Sequence, residues 1–362
     1  MKYTFTNKKN NPRLLYVVEA FGGGIFTYLS ELANKLDKKF EIYIAYGIRK
    51  QTPKNFKEYF PNDIHWIEIK NFTREVNIKK DLKAFIELRR VVKKINPDII
   101  HLNSSKAGIL GRWGINNKRH RIFYTPHGYS FLMENTNKIK REIYKLIEKV
   151  SARKNITTIS CSVGEHRETL KLTSNAVYIN NGVEIEELDS IKSISKDDKF
   201  TIFTLGRISE QKNPQVFNEV AESLPNVKFI WIGDGKLRDL LQAPNITITG
   251  WLDRKEALKI AKSADAFFLP SKWEGLPMSL LEAMYLKKYC IVSDIPGNND
   301  VIKNEKNGFI GEDKNTYINI INELRNKDKN YILKAAHKDI MTNYNTQIMA
   351  KKYEKIYLKG IL

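Results

Sequence analysis

Short β-rich runs alternate with amphipathic helical stretches along this chain, and that alternation limits the folds it can adopt. In the first half, runs rich in β-branched and aromatic residues are bounded by turn residues. These runs are Arg13–Val18, Glu41–Tyr46, Ile64–Ile69, Asp98–Leu102, Arg121–Thr125, Ile156–Ser160 and Ala176–Asn180. Between them lie apolar residues at three- and four-residue spacing, such as Ile78, Leu82, Phe85, Ile86, Val91, Val92 and Ile95. The pattern predicts parallel βαβ units with helices on both faces of a sheet.

A polar stretch, Glu184 to Lys199, interrupts this alternation before it starts again. The later strand candidates are Phe200–Leu205, Val227–Ile232, Asn245–Thr249, Asp265–Leu269 and Tyr289–Ser293. A length of 362 residues suits two such α/β domains. We therefore predict Rossmann-like, doubly wound domains at residues 1–182 and 200–344, a linker at 183–199 and a final helix at 345–362. The two domains are expected to face each other across a cleft at the carboxyl ends of their strands.

Composition excludes several classes of protein. With 42% hydrophobic and 28% charged residues, the chain is typical of a globular protein. No apolar run approaches the roughly 18–20 residues of a membrane-spanning helix, and the lysines of Met1 to Asn11 precede no apolar segment of a secretory signal. Cys161 and Cys290 lie far apart, so neither a disulfide framework nor a cysteine-based zinc site is expected. These features favour a cytoplasmic protein.

Positive charge is concentrated in the first half of the chain. Residues 1–182 contain 34 Lys and Arg against 16 Asp and Glu, whereas residues 183–362 contain 27 against 25. This asymmetry predicts an anionic partner for the first half: phospholipid head groups, a lipid-linked diphosphate or nucleic acid. A generally basic composition is the alternative, but it does not explain why the second half is nearly neutral.

The first motif is Phe21-Gly22-Gly23-Gly24, between a strand candidate and a helical run. Glycines at this place let backbone N–H groups approach an anion, and the helix N-terminus adds a favourable dipole. A dehydrogenase fingerprint fits poorly, because Thr27 stands where its third glycine should be. A tight turn without a ligand remains the alternative.

The second motif, Thr125-Pro126-His127-Gly128-Tyr129, follows a strand candidate. A histidine on such a loop is expected to point into the cleft, where it can donate a hydrogen bond to a sugar hydroxyl or a phosphate oxygen. A structural histidine in a turn is the alternative.

The third motif runs from Gly206 to Pro214 and places Arg207 and Lys212 on a loop that leads into a helix. Two cations beside a helix N-terminus suit a diphosphate, the arginine through its planar fork and the lysine as a point charge. Basic residues are also common on protein surfaces, so the pair alone does not decide the function.

The fourth motif, residues 271–284, contains Glu274 and Glu282 with seven residues between them. Glu274 is placed on a loop after a strand, and Glu282 near the second turn of a helix that starts at Pro277. A carboxylate there can accept two hydrogen bonds from a ribose diol while the helix N-terminus faces phosphates. Two acids can also form a hydrolase pair, but a helix start rich in backbone donors suits a phosphorylated ligand better.

Taken together, these motifs resemble the retaining glycosyltransferases of family 4, which have the GT-B fold. The resemblance covers roughly residues 14–345 in the family's order. It comprises the glycine-rich first loop, His127-Gly128, Gly206-Arg207 with Lys212-Asn213, Gly233-Asp234-Gly235, Gly250-Trp251-Leu252 and the Glu274-x7-Glu282 block. That block, with Gly-Leu-Pro inside it, is the most specific part.

The resemblance implies roles for individual residues. Arg207 and Lys212 would hold the donor diphosphate, with Gly275 and Leu276 beside the donor at the helix start. Glu282 would bind the ribose, and Glu274 and His127 would lie near the transferred sugar. Gly23 and Gly24 would line the cleft opposite the phosphates. The last helix would return to the first domain.

The same resemblance implies a sugar transfer that needs no cofactor. No Asp-x-Asp metal-binding sequence occurs in the chain, so we expect activity without a divalent metal, with the leaving diphosphate stabilised by Arg207, Lys212 and a helix dipole. The expected donor is a nucleoside-diphosphate sugar, UDP-linked as is commonest in the family. The transferred group would be a hexose or an N-acetylhexosamine. Front-face attack would need no protein nucleophile.

The basic first half is expected to face a glycan or polyprenyl-diphosphate-linked acceptor of bacterial surface polysaccharide, capsule or lipopolysaccharide synthesis. Peripheral contact with an anionic inner membrane face is a further hypothesis. It rests on Asn137–Lys154, where Ile139, Ile143, Leu146, Ile147 and Val150 form one helical face among lysines. A helix that packs this face on its own domain is the alternative.

Two other functional classes remain open at this stage. A sugar-nucleotide epimerase or a phosphorylase could share the two-domain architecture, although no lysine for a pyridoxal cofactor can be assigned. A nucleic-acid-binding protein would explain the charge, but no recognised module appears and we expect no nucleic-acid partner.

Overall fold

The computed structural model describes residues 11–49, 52–73, 76–133, 136–195 and 198–359. Contacts divide them into two compact units, one chiefly of residues 11–132, 136–181 and 346–359 and the other of residues 182–345. Residues 1–10, where no secretory signal is expected, lie outside the described residues. So do residues 196 and 197 of the predicted linker and 360–362 of the predicted last helix.

The first unit contains a sheet of seven parallel strands in the order β3-β2-β1-β4-β5-β6-β7. The strands are β1 Arg13–Phe21, β2 Glu41–Ile48, β3 His65–Glu68, β4 Ile99–Asn103, β5 Arg121–Thr125, β6 Thr157–Ser160 and β7 Ala176–Tyr178. The helices between them are α1 Gly24–Leu36, α2 Ile78–Ile95, α3 Ser105–Gly114, α4 Lys138–Ala152 and α5 Val163–Leu170.

The central strand of this sheet is covered on both faces. Every residue from Leu14 to Val18 is fully buried. Leu14, Tyr16 and Val18 join a core cluster with α1, whereas Leu15 and Val17 join a second cluster with α2 and α3. Coverage on both faces is why parallel strands of this kind have continuous apolar sequences.

The second unit contains a parallel sheet of six strands in the order β10-β9-β8-β11-β12-β13. The strands are β8 Thr201–Leu205, β9 Lys228–Ile232, β10 Ile246–Ile248, β11 Ala266–Leu269, β12 Tyr289–Ser293 and β13 Phe309–Gly311. The helices are α6 Ile185–Ser190, α7 Pro214–Glu222, α8 Arg254–Ser263, α9 Met278–Tyr285, α10 Lys314–Asn326 and α11 Asn330–Asn343. Both units therefore confirm the predicted doubly wound α/β class.

The segment predicted as a linker, 183–199, includes helix α6, which packs on α9 of the second unit. Leu188 and Ile191 are buried there, and Tyr285 donates a hydrogen bond to Asp189 at 2.7 Å. The polar composition gave no sign of this helix, because two of its acids have partners elsewhere in the second unit. Glu187, for example, accepts a hydrogen bond from Arg254 at 2.9 Å.

The last helix, α12 Thr346–Leu358, packs against α1 of the first unit. Tyr353 and Tyr357 are fully buried in the core cluster on that side of the sheet. The Tyr357 hydroxyl lies 2.6 Å from Nδ1 of His101 on β4, and Thr346 donates to Glu31 at 3.0 Å. No helix within the described ranges is both long and apolar enough to cross a membrane.

We predict that Tyr357→Ala lowers the free energy of unfolding of the first unit by about 3–5 kcal/mol, the usual cost of truncating a buried aromatic side chain. The change removes core packing and the hydrogen bond to His101. Lys352→Ala, at an exposed position of the same helix, is the control and should change stability little. Urea unfolding followed by circular dichroism measures both, and equal midpoints for the two variants would contradict the prediction.

Candidate functional site

The second sheet changes its winding direction at β8. From β8 the chain adds β9 and β10 on one side, and then crosses to β11 and β12 on the other. In open parallel sheets, the loops that follow the two strands at such a switch point separate and leave a crevice for ligands. The loops after β8 and β11 are therefore expected to carry the functional site.

The loop after β8 carries Arg207 and Lys212 and is held by the neighbouring loop after β9. Gly206 N–H donates to the Ile232 carbonyl, and Ile208 N–H donates to the Asp234 carbonyl, both at 2.9 Å. The loop leads into α7, with Pro214 at the first helical position. Backbone hydrogen bonds thus fix the position of the loop that carries the two cations.

The Gly233-Asp234-Gly235 motif is a packing requirement of this loop pair. A Cβ at Gly233 would lie 2.2 Å from the Gly206 carbonyl oxygen, and one at Gly235 would lie 2.0 Å from the Ile208 carbonyl oxygen. Gly233 also has φ of 138°, a conformation that L side chains rarely adopt. Only glycine lets the two backbones approach this closely.

Glu274, on the loop after β11, meets Lys212. Lys212 Nζ lies 2.7 Å from Oε1 of Glu274, and Gln211 Nε2 donates to Oε2 at 3.2 Å. The lysine and glutamate side chains are only 14% and 6% exposed, so each charge is compensated by the other. Sequence reasoning missed Gln211, whose position beside Lys212 was its only signal.

The loop that carries Glu274 is supported by a glycine that sequence reasoning also missed. Gly297 has φ of 89°, and a Cβ there would lie 2.5 Å from the Gly275 carbonyl oxygen. Gly275 and Leu276 then lead directly to the N-terminus of α9, whose residues are all buried. The helix start, the glutamate and the lysine consequently belong to one rigid piece of the second unit.

Glu282 lies on α9 and is 3% exposed. Its Oε1 accepts from Arg254 Nη1 at 2.7 Å, and Arg254 Nε donates to both carboxylate oxygens of Glu187, at 3.0 and 2.9 Å. Burial raises the pKa of Glu282, and Arg254 opposes that rise. Arg254 and Glu187 were not predicted as site residues, because neither belongs to a recognisable motif.

Gly23, Gly24 and His127 lie in the first unit. Gly23, with φ of 59°, precedes α1, which begins at Gly24. A Cβ at Gly23 would contact nothing within 4 Å, so its backbone conformation, not crowding, requires glycine. His127 follows β5 and also has a positive φ, 53°.

The hydrogen bonds of Asn103 define the state of the His127 ring. Asn103 Nδ2 donates to the His101 carbonyl at 3.1 Å, so its Oδ1 is the atom that faces His127 Nε2 at 3.0 Å. Nε2 must therefore carry the proton. Burial lowers the pKa of His127 to about 3, so the ring is neutral near pH 7 and Nδ1 is an acceptor. A hydroxyl can donate to it, but the donation to a sugar hydroxyl or a phosphate oxygen expected from the sequence does not fit, because the Nε2 proton faces Asn103.

The structure thus brings some of the predicted residues together. Lys212 and Glu274 form an ion pair beside the Arg207 loop, and Glu282 is paired with Arg254 in the same unit. Within the ranges that the structure describes, no group of three or more His, Cys, Asp or Glu side chains is arranged to hold a metal ion.

Comparison with known protein families gives two matches that follow each other along the chain. Residues 22–187 match the family described as Glycosyltransferase Family 4. Residues 185–344 match the family described as Glycosyl transferases group 1. The two matches overlap at residues 185–187, a few residues after the division between the two units.

Curated relatives extend over most of the chain. It is 30% identical over 343 residues to the UDP-Gal:alpha-D-GlcNAc-diphosphoundecaprenol alpha-1,3-galactosyltransferase of Escherichia coli, covering 84% of this chain and 86% of that protein. It is 24% identical over 309 residues to the N,N'-diacetylbacillosaminyl-diphospho-undecaprenol alpha-1,3-N-acetylgalactosaminyltransferase of Campylobacter jejuni, covering 76% and 81%.

Solved structures share the fold at low sequence identity. Sucrose-phosphate synthase from Thermosynechococcus elongatus superposes with a TM-score of 0.81 at 16% identity, covering 96% of this chain and 98% of that one. Anabaena HepE in complex with UDP and glucose gives 0.77 at 15% identity, covering 96% and 99%.

We predict that the imidazole of His127 stays neutral, with its proton on Nε2, from pH 8 down to pH 5. Because its folded pKa of about 3 lies below the ordinary 6.5, the unfolded chain takes up a proton in this range that the folded chain does not. His127 should therefore reduce stability as the pH falls below about 6.5. Nitrogen NMR of the histidine rings, assigned with His127→Gln, measures this, and a midpoint near 6.5 would contradict it.

Proposed function

The chain belongs to glycosyltransferase family 4 and has the GT-B fold, and from this premise we propose that it is a retaining, metal-independent enzyme that uses a nucleoside-diphosphate sugar. Its proposed acceptor is a lipid-linked glycan of bacterial surface polysaccharide synthesis. The named activities of the Escherichia coli and Campylobacter jejuni relatives support this acceptor class, since both names specify a sugar on an undecaprenyl diphosphate.

The observation that carries the donor site is the meeting of Lys212 and Glu274 at the switch point of the second sheet. Arg207 lies on the same fixed loop as Lys212, so the loop presents two cations against one carboxylate. The ammonium of Lys212 has three donors, so it can bind a diphosphate while it stays paired with Glu274. Cations held in place before the reaction stabilise the charge that develops on the leaving diphosphate.

The contacts of Glu274 support a reaction without a protein nucleophile. Both of its carboxylate oxygens are engaged, one by Lys212 and the other by Gln211. In the proposed front-face reaction, the bond from the sugar to the diphosphate breaks as the acceptor hydroxyl attacks from the same side. The hydroxyl proton passes to the leaving phosphate oxygen. Glu274 then serves to orient Lys212.

The remaining assignments follow the surroundings of each residue. Glu282 is proposed to accept hydrogen bonds from the ribose hydroxyls, because it is a buried carboxylate on the helix that starts after Gly275 and Leu276. The N–H groups at that helix start would face the phosphates. His127 is proposed to accept a hydrogen bond from a hydroxyl of the transferred sugar through Nδ1.

A uridine donor is supported by the relatives. The Escherichia coli relative is named for UDP-Gal, and Anabaena HepE binds UDP in its solved structure. We therefore propose a UDP-linked hexose or N-acetylhexosamine as the donor.

We predict that UDP binds the purified protein with micromolar affinity in the presence of EDTA, and more tightly than GDP or ADP. Arg207→Ala should weaken this binding and lower turnover by a factor on the order of 10²–10³, the usual effect of removing one preorganised contact to the developing charge. Isothermal titration calorimetry and an assay with a lipid-diphosphate-linked sugar measure the two effects. Thermal unfolding of each variant provides the control for folding.

Other outcomes of this experiment would point to other functions. Conversion of the sugar nucleotide without acceptor would identify an epimerase. A chain that binds none of the three diphosphates but binds nucleic acid, with a steep dependence on salt, would overturn the donor site.

We also propose peripheral contact between the first unit and an anionic inner membrane face, and helix α4 provides the main support. The helix is attached to its unit by Tyr144, which packs on the core cluster shared with α2 and α3, and by a buried polar contact: Glu148 lies 2.6 Å from Arg112 on α3, and both are under 5% exposed. Its apolar residues Ile139, Ile143 and Leu146 are instead 70%, 49% and 60% exposed. These three residues recur on one face, and packing on their own unit does not bury them, whereas Ile147 and Val150 of the same predicted face are half-buried.

Helix α2 presents a second exposed apolar row on the same side of the sheet. Ile78, Leu82 and Ile86 are exposed, at four-residue spacing, while Ala84 and Leu88 pack into the core cluster shared with α3. A shallow cavity of about 350 Å³ lies between α2 and α3. The sequence pattern indicated a helix here but did not separate the exposed row from the buried one.

The positive charge around the exposed rows of α2 and α4 favours an anionic bilayer as the binding partner of this surface. Exposed cations flank both rows: Lys79, Lys80, Lys83, Lys138, Lys140, Lys145 and Lys149. A second copy of the chain would bring like charges together around the apolar rows, whereas anionic lipid head groups would neutralise them. Aliphatic rows with basic borders match the interface of an anionic membrane.

We predict that the protein floats with vesicles that contain phosphatidylglycerol and not with vesicles of phosphatidylcholine alone. The double variant Leu82→Gln with Ile143→Gln should weaken binding on the order of tenfold or more, because two aliphatic side chains no longer enter the bilayer. Leu240→Gln, at an exposed apolar position of the second unit, is the matched control. Flotation that is indifferent to anionic lipid, or equal for the variant and the control, would overturn the membrane contact.

A further inference from the structure

Arg254 occupies an electrostatically unfavourable position on α8. It is the first residue of that helix, directly after the N-cap Asp253, where the helix dipole disfavours a cation. Its guanidinium is nevertheless held by two carboxylates from other elements, Glu187 on α6 and Glu282 on α9. A residue that breaks a local rule and is fixed by distant partners is a candidate for a role in the site.

Two different nitrogens of the guanidinium contact the two glutamates. Nε donates to both oxygens of Glu187, which fixes the plane of the fork, while Nη1 donates to Oε1 of Glu282. The hydrogen bond from Arg254 uses Oε1 of Glu282 and not Oε2. Arg254 therefore sets the rotation of the carboxylate and leaves one oxygen for a ligand.

We propose that Arg254 is the positioning residue that orients the carboxylate of Glu282 for the ribose of the donor nucleotide. The proposal rests on the donor site proposed above. Arg254 itself need not contact the nucleotide: it acts through the carboxylate, and Glu187 acts by holding Arg254.

Electrostatics gives the proposal a pH signature. The charged groups that face Glu282 are Arg254 from α8, which lowers its pKa, and Glu187 from α6, which raises it along with burial. His337, on the neighbouring helix α11, is bonded to the Tyr285 carbonyl at 2.7 Å instead. Without Arg254 the pKa of Glu282 rises further, so the carboxyl gains a proton at a higher pH and accepts hydrogen bonds less well.

The test compares UDP with 2′,3′-dideoxy-UDP, which lacks both ribose hydroxyls. The wild-type protein should prefer UDP, and Arg254→Gln should lose most of that preference at pH 7, by a factor on the order of 10–100. The preference should rise more steeply with increasing pH in the variant than in the wild type, because Arg254 no longer lowers the pKa of Glu282. Calorimetric titration with both nucleotides measures each value.

Two further variants control for charge and folding. Lys255→Gln removes an exposed cation from the next position of α8 and should keep the full preference for UDP. Arg254→Lys retains the charge without the fork, so it should fold and show an intermediate preference.

The outcomes separate this proposal from the donor site itself. If Arg254→Gln and Arg254→Lys bind both nucleotides more weakly but keep the wild-type preference, Arg254 is only structural and the proposal is wrong. If the wild type prefers UDP and Glu282→Ala abolishes that preference while both Arg254 variants retain it, the donor site stands without Arg254. If the wild type shows no preference, the ribose role of Glu282 and the positioning role of Arg254 are both overturned.

Discussion

The reversal of winding between β8 and β11 is the constraint on which the charged residues of the second unit depend. Lys212 and Glu274 are 62 residues apart in sequence, and they meet because their loops leave neighbouring parallel strands at the same edge of the sheet. Gly233 and Gly235 allow the Gly206 loop to pack backbone against backbone. Topology therefore decides where the charges can meet, and the glycines decide how rigidly they are held.

Ion pairing explains how two glutamates can be buried without a ligand. Taking a carboxylate out of water is expensive unless a cation compensates it, and each glutamate has one: Lys212 for Glu274 and Arg254 for Glu282. The two pairs differ in what they leave available. Glu274 has both oxygens engaged, whereas Glu282 is held through one oxygen by an arginine that is itself held by Glu187. These contacts underlie the roles proposed above, in which Lys212 binds the diphosphate and Glu282 accepts the ribose hydroxyls.

Local sequence patterns predicted most of the fold, and the motifs predicted where the loops and helices would place Glu274 and Glu282. β5 and β12 begin and end at the predicted residues, and the Glu-x7-Glu block placed Glu274 after a strand and Glu282 on a helix, as found. The strand β13 was missed because only Phe309 and Ile310 favour a strand there, between Gly308 and Gly311. Helix α6 was missed because its acids are neutralised only by tertiary contacts. Arg254 could not be recognised for the same reason: its partners lie 67 and 28 residues away. Ion pairs between residues so far apart in sequence leave no local pattern in the sequence.

Helix α4 shows a second limit, which concerns orientation. Hydrophobic periodicity defines an apolar face and normally implies that this face turns inward. Here the inward face contains Tyr144 and also Glu148, which accepts from Arg112 at 2.6 Å and from the Tyr124 hydroxyl at 2.9 Å, while Ile139, Ile143 and Leu146 stay exposed. An exposed aliphatic row costs solubility unless something covers it, and lysines beside it would repel a second copy of the chain. The exposed aliphatic row beside these lysines is thus the structural support for the proposed contact between the basic first unit and an anionic membrane face.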